Sequence, residues 1–95
     1  KVKLPHYSGT NDHVFHLFVV LVEDRDRFMN YFKDNAIETL IHYPIPPHKQ
    51  EALKLYSDLK LPFTEKIHQQ LVSIPMSPVL TDEDVNTVIE IINAY

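Results

Sequence analysis

VFHLFVVLV, residues 14–22, is the stretch that decides how this chain folds. It is rich in Val and Phe, lies between turn-forming residues and is too short for a typical helix, so it predicts a β-strand. Side chains along a strand alternate between the two faces of a sheet. Both alternating sets are apolar here apart from His16, whereas an antiparallel sheet with one wet face alternates apolar with polar residues. We therefore expect both faces of this strand to be covered.

Two arrangements could cover the second face of strand 14–22. In the one we favour, protein outside this chain packs there, because the few helices of the chain suffice for one face only. In the alternative, those helices wrap both faces. The chain begins with Lys1 and not with methionine, which we take as an indication that it is part of a longer protein.

Capping signals predict the helix that follows the strand. Asp24 is a suitable N-cap for a helix that runs to about residue 34. Phe28 and Phe32 are four residues apart and would share its apolar face. We expect Asn35 to take the left-handed conformation that ends this helix.

The second half of the chain predicts further short elements. We expect a short strand over residues 39–42, one or two helical turns over 48–56, a helix over 63–71 opened by Pro62, and a strand over 73–76. Thr81 and Asp84 have the spacing of a capping box before a final helix. The order predicts an α+β fold: a small antiparallel sheet of about three strands with helices packed on one face.

Composition excludes several classes of protein. The chain has 95 residues, enough for one domain, and a formal net charge of −4 without the clustered basic residues of a nucleic-acid surface. It has no cysteine, so disulfides and thiolate metal sites are excluded. Its longest apolar run, residues 14–22, is far short of the ~20 residues that cross a bilayer. We expect no membrane partner and a cytoplasmic setting.

Neither a metal site nor a catalytic centre is predicted within the chain. His13 and His16 would point to opposite faces of a strand, and two histidines such as His42 and His48 are too few for a zinc site. With one glycine the chain cannot form a glycine-rich phosphate loop. No lysine lies in the apolar context that Schiff-base chemistry requires. We expect His16 to be half-buried, and His6 and His68 to be solvated.

HYPIPPHKQ, residues 42–50, is unusually rich in prolines and ring-bearing side chains for a connecting loop. It could be a rigid turn that only joins two elements. It could equally be a stiff loop that presents His42, Tyr43, His48 and Lys49 to a ligand, because prolines reduce the entropy that a fixed loop loses. Imidazole, phenol and ammonium donors suit an anion such as phosphate.

The order of three segments carries a resemblance to a known family. They are HLFVV at residues 16–20, TLIHYPIPPHKQ at 39–50 and LPFTEKIHQQLVSIPMSPVLTDEDVNTVI at 61–89. Over about residues 13–92 the chain resembles the C-terminal small domain of the DegT/DnrJ/EryC1/StrS sugar aminotransferases. By this resemblance, residues 1–95 are the small domain of a larger enzyme. The free-standing alternative is an α+β regulatory, ligand-binding or protein-interaction module.

The resemblance implies an activity and a set of partners. Members of the family depend on pyridoxal phosphate (PLP) and transfer an amino group, usually from glutamate, to a keto sugar on a nucleotide diphosphate. The implied setting is lipopolysaccharide, polysaccharide or deoxysugar synthesis. The cofactor lysine lies in the large N-terminal domain, so PLP is expected in the full-length enzyme and not on this chain alone. The implied partners are that domain, a nucleotide-sugar substrate and a second copy in a homodimer.

The resemblance also indicates site residues. His42 and Tyr43 match the part of the loop that contacts the sugar nucleotide, followed by His48, with Lys49 as a weaker candidate. One departure stands out, since Ala36 occupies a position where the family usually has glycine. We expect Asn35 to supply the left-handed turn in its place.

Overall fold

A computed structural model describes residues 1–95 and confirms the α+β class. Its regular elements, in chain order, are β1 (Phe18–Leu21), α1 (Arg25–Asp34), two 3-10 segments (Pro47–Lys49 and Glu51–Tyr56), α2 (Pro62–Gln70), β2 (Leu71–Ile74) and α3 (Asp82–Ala94). None of the helices is long and apolar enough to cross a membrane.

The sheet consists of two antiparallel strands with one paired residue at each edge. β1 and β2 pair so that Val20 lies opposite Val72. Lys3 bridges to β1 at one edge, and Leu40 bridges to β2 at the other, where the backbone N–H of Leu40 lies 3.1 Å from the carbonyl oxygen of Ser73. The sheet is therefore small, as predicted, and its outer members are single bridges.

The structure differs from the predicted bounds of all three strands. The strand expected over residues 14–22 is regular only over Phe18–Leu21, since Phe15 has a φ of 45° and Val14 is 92% exposed. A backbone with positive φ cannot continue a pleated strand. The prediction of a strand over residues 39–42 is wrong, because only Leu40 of this segment pairs with β2. The expected strand 73–76 lies two residues earlier, at Leu71–Ile74.

The hydrophobic core lies between the sheet and helices α1 and α3. Its buried members come from β1, β2, α1 and the residues that follow them, and they are Val20, Val22, Phe28, Phe32, Ile37 and Val72. Val88, Ile91 and Ile92 of α3 pack against this cluster while remaining half-buried. Asp24 caps α1 as predicted, and its carboxylate accepts the Arg27 backbone N–H at 3.0 Å.

The second face of the sheet is not bare. Leu71 and Ser73, which alternate with Val72, are only 5% and 6% exposed, and Leu17, Val19 and Leu21 are half-buried. The chain itself therefore covers part of this face, and the packing of outside protein on the rest stays a prediction. Large apolar side chains are exposed elsewhere, among them Leu55, Val79 and Phe63 at 89%, 83% and 78%.

Helix α1 ends in a Schellman motif centred on Ala36. The Ile37 N–H bonds to the Phe32 carbonyl at 2.9 Å and the Ala36 N–H to the Lys33 carbonyl at 3.0 Å, the pattern that defines the motif. The left-handed residue is Ala36, with a φ of 58°. Asn35 has a φ of −97°, so the prediction that it supplies the turn is wrong. Ile37 and Phe32 join the core together, which holds Ala36 in a conformation that its methyl group disfavours.

Ala36→Gly should stabilise the protein by about 1 kcal/mol, because glycine adopts positive φ without the steric cost that alanine carries. Urea denaturation followed by circular dichroism would measure the change. The matched control is Ala52→Gly, which lies in a 3-10 segment at negative φ and should be neutral or destabilising. A loss of stability in Ala36→Gly would contradict this account of the helix end.

Helix α3 begins with the predicted capping box. The Asp84 N–H bonds to the Thr81 hydroxyl oxygen at 3.1 Å, and the Asp84 carboxylate accepts the Thr81 backbone N–H at 2.9 Å. The same carboxylate accepts the Thr81 hydroxyl at 2.7 Å. The Thr81 hydroxyl first, and its backbone N–H second, hold the pKa of Asp84 below the ordinary aspartate value.

A lowered pKa fixes the pH range in which this cap acts. The contribution of Asp84 to stability is complete above the ordinary aspartate pKa and is lost as the pH falls through the lowered one. Asp84→Asn should therefore destabilise the protein at neutral pH, and its difference from the parent should vanish in acid. Thr81→Ala should cost about 1 kcal/mol at neutral pH.

Thermal melts of the parent and Asp84→Asn between neutral pH and pH 2 would test this. Glu83→Gln is the control, since Glu83 also lies in the first turn and its carboxylate makes no hydrogen bond or ion pair. An Asp84→Asn difference that does not depend on pH would rule out this role for the carboxylate.

Candidate functional site

The loop at residues 42–50 leaves the sheet edge beside β2. His42 lies two residues after the Leu40 bridge, and its Nδ1 atom is 3.0 Å from the hydroxyl oxygen of Ser73. Ser73 points to this side because its neighbour Val72 points into the core. Nε2 of His42 makes no hydrogen bond within the chain and is not buried. The His42 ring is thus oriented through one nitrogen and open at the other.

Tyr43 combines a fixed backbone with a free side chain. Its carbonyl oxygen accepts a hydrogen bond from Nδ1 of His68 at 2.7 Å. The residue is 64% exposed, its phenol makes no hydrogen bond within the chain, and its ring meets the His42 ring edge-on with 5.7 Å between centroids. The peptide bond between these two residues is cis. The Tyr43 phenol and Nε2 of His42 are therefore two neighbouring hydrogen-bonding groups that the chain does not use.

His48, in contrast, is used inside the protein. It is 5% exposed, and its Nε2 atom lies 3.0 Å from Oε1 of Glu65 in α2. A carboxylate can only accept, so Nε2 carries the proton of this bond. Nδ1 is buried and has no partner. In this arrangement His48 ties the far end of the loop to α2, and its ring does not reach the surface where Tyr43 lies exposed.

Glu65 receives two hydrogen bonds at the start of α2. Its Oε1 atom accepts the Leu61 backbone N–H at 3.1 Å in addition to His48. The Leu61 N–H first, and the His48 ring second, hold the pKa of Glu65 below the ordinary glutamate value. The attachment of the loop through this carboxylate is complete above the ordinary glutamate pKa and is lost as the pH falls through the lowered one.

Lys49, the weaker of the predicted site residues, is also used within the chain. Its ammonium group donates to the carbonyl oxygens of Ser57 and Leu59. The Gln50 side-chain amide returns to the Ile45 carbonyl at 3.2 Å. These bonds close the loop on itself and on the segment that follows, so Lys49 stabilises the shape of the loop.

No residue of the chain fits the anchor of a PLP cofactor. All seven lysines are exposed, whereas a Schiff-base lysine is activated by desolvation or a neighbouring cation. The structure also has no group of three or more His, Asp or Glu side chains placed to hold a metal ion.

Sequence reasoning missed three residues that shape this site: Ser73, Glu65 and His68. Their partners are distant in the chain, 31 residues from Ser73 to His42 and 17 from Glu65 to His48. The prediction that His68 is merely solvated is wrong, since it holds Tyr43, and the expected half-buried His16 is exposed. His6 is exposed, as predicted.

Comparison with known proteins shows the family to which the chain belongs. The chain belongs to the DegT/DnrJ/EryC1/StrS aminotransferase family, whose profile matches residues 1–93. It is 46% identical over 94 residues to dTDP-3-amino-3,6-dideoxy-alpha-D-galactopyranose transaminase of Aneurinibacillus thermoaerophilus, an alignment that covers 99% of this chain and 26% of that protein. It is 35% identical over 95 residues to 3-oxo-glucose-6-phosphate:glutamate aminotransferase of Bacillus subtilis, covering 94% of this chain and 21% of that protein.

A solved structure supports the fold directly. The crystal structure of NtdA from Bacillus subtilis with bound cofactor PMP matches with a TM-score of 0.83 and 34% identity, over 98% of this chain and 22% of that one. The chain thus spans about a quarter of the length of the relatives it matches.

His48 is buried and Tyr43 is exposed, so truncating these two side chains should change the stability of the protein by different amounts. His48→Ala should lower the free energy of unfolding by about 2 kcal/mol, because it removes a buried ring and its hydrogen bond. Tyr43→Phe should stay within about 0.5 kcal/mol of the parent, because its phenol is solvated. Urea denaturation measures both, and equal effects would contradict the division of roles within the loop.

Proposed function

We propose that this chain is the C-terminal small domain of a PLP-dependent aminotransferase that moves an amino group from glutamate to a nucleotide-linked keto sugar. The observation that carries the proposal is the loop of residues 42–50, which leaves the donors of His42 and Tyr43 unused in a chain that belongs to a sugar-aminotransferase family. Relatives named for a dTDP-sugar and for glutamate support the two substrates.

The exposed surface supports a domain that packs on further protein. The chain exposes 7522 Å², whereas a compact monomer of 11.1 kDa exposes about 5,700 Å². The radius of gyration is 15.2 Å, compared with about 12 Å for a compact domain of this length. A standard interface buries about 800 Å² per partner, so the excess is enough for one or two interfaces. The partner proposed here is the enzyme's own N-terminal large domain.

That large domain would supply the cofactor site. The family is PLP-dependent, and the NtdA neighbour holds PMP. When bound, PLP carries the amino group between the two substrates. Since every lysine of this chain is exposed, the lysine that holds the cofactor belongs to the rest of the enzyme. The contribution of this chain is then substrate recognition at the edge of the active site.

His42 and Tyr43 suit an anionic substrate group. If the Ser73 hydroxyl donates to Nδ1 of His42, the open Nε2 carries a proton and can donate outward, next to the Tyr43 phenol. Two adjacent donors match the oxygens of a diphosphate or the hydroxyls of a sugar. His48, predicted from the resemblance as a third contact, contributes in this proposal by holding the loop.

A homodimer, a cytoplasmic setting and a place in polysaccharide or deoxysugar synthesis complete the proposal. The family resemblance supports the homodimer and the biosynthetic role, and the cytoplasmic setting is the one expected from the sequence. Sugar-transaminase relatives support the biosynthetic role in particular.

In the full-length enzyme, His42→Ala or Tyr43→Phe should weaken sugar-nucleotide use about ten- to a hundredfold, since a hydrogen bond to a charged group contributes about 1.5–3 kcal/mol. The half-reaction with glutamate should be nearly unchanged, because glutamate lacks the diphosphate. Single-turnover measurements of the two half-reactions on the purified variants separate these effects.

Tyr56→Phe is the matched control, since Tyr56 is also half-exposed, at 50%, but lies in the second 3-10 segment. It should leave both half-reactions unchanged. Equal losses in both half-reactions for the His42 and Tyr43 variants would reject the substrate-binding role and leave the loop a structural turn.

A further inference from the structure

One face of α2 carries two of the side chains that attach the loop to the rest of the fold. Glu65 and His68 are three residues apart, so they are neighbours on the helix surface. Glu65 bonds to His48 near the end of the loop at 3.0 Å, and His68 bonds to the Tyr43 carbonyl near its start at 2.7 Å. A single rigid element therefore holds the loop at two points.

We propose that Glu65 and His68 are positioning residues for the ligand-binding pair His42 and Tyr43. They set the loop's shape before ligand arrives, so that neither of them needs to touch the ligand. The inference rests on the proposed function, because it assigns how that same site is preorganised.

The helix α2 is capped at its start and anchored to another helix at its end. At the start, Pro62 occupies the first turn and Glu65 accepts the Leu61 N–H at 3.1 Å. At the end, Nη1 of Arg25 donates to the His68 carbonyl at 2.7 Å. Arg25 is the first residue of α1, whose Phe28 and Phe32 lie in the core. His68, which bonds to the Tyr43 carbonyl, is therefore itself linked by Arg25 to a helix that packs in the core.

The other side-chain attachments of the loop run from His42 to Ser73 and from Lys49 to the carbonyls of Ser57 and Leu59, and neither bonds to Tyr43. Tyr43, Pro44 and Ile45 are exposed, and the Gln50 side chain bonds only within the loop. The prolines narrow the conformations of the free loop but do not fix its direction relative to the sheet. Two attachments to one helix do fix that direction. Losing either one should leave Tyr43 free to sample positions from which its phenol does not meet the ligand.

A double-mutant cycle in the full-length enzyme tests the proposal. His68→Ala and Glu65→Ala should each raise the KM for the sugar nucleotide about tenfold, with the glutamate half-reaction unchanged and faster amide exchange across residues 42–50. Because both act through Tyr43, adding either to Tyr43→Phe should cause little further loss. His68→Asn, which keeps an N–H donor near the position of Nδ1, should restore most of the binding.

Lys66→Ala is the control on the same helix, since Lys66 is exposed and makes no hydrogen bond or ion pair. It should change neither KM nor exchange. The positioning role would be overturned if the losses of sugar-nucleotide binding in the α2 variants simply added to the loss in Tyr43→Phe. Unchanged amide exchange across the loop in His68→Ala and Glu65→Ala would overturn it as well. If Tyr43→Phe alone leaves the sugar-nucleotide half-reaction intact, the proposed site fails, whereas faster loop exchange in the α2 variants would still show that α2 holds the loop.

Discussion

The pairing of Val20 with Val72 is the constraint on which the rest of this structure depends. Both residues are fully buried and lie opposite each other in β1 and β2. Because side chains alternate along a strand, placing Val72 in the core turns Ser73 to the opposite face, where it meets His42. A shift of one residue would take Val72 out of the core and put the Ser73 hydroxyl there in its place. The register of β1 and β2 that buries Val72 therefore also places Ser73 beside His42, the first residue of the loop.

The rings of the loop at residues 42–50 differ in how far they are used within the chain. His48 is buried and bonded to Glu65, whereas Tyr43 is exposed with an unused phenol. His42 is intermediate, since one of its ring nitrogens bonds to Ser73 and the other has no partner within the chain. Buried polar groups need partners, and this need is what fixes the loop. A loop already held in shape loses less entropy when it binds, so under the proposed function the structural role of His48 would favour binding at Tyr43.

Local signals in the sequence were sufficient to predict the helices. The predictions that were wrong concern features that depend on contacts between residues distant in the chain. The caps at Asp24 and Thr81 were predictable because each bonds within three residues. The extent of the first strand was not, since it depends on β2 and on the positive φ of Phe15. Ala36 gave no local sign of its left-handed conformation, which the burial of Ile37 imposes. The loop was recognisable from its prolines and rings, but the burial of His48 depends on Glu65, far along the chain.

The most direct test of the account is a crystal structure of the full-length enzyme with a bound sugar nucleotide. The account predicts that the Tyr43 hydroxyl and Nε2 of His42 lie within hydrogen-bonding distance, about 3 Å, of ligand oxygens. It also predicts that the bonds from His48 to Glu65 and from His68 to the Tyr43 carbonyl are unchanged. A ligand bound elsewhere, with the Tyr43 ring packed into a protein interface, would contradict it.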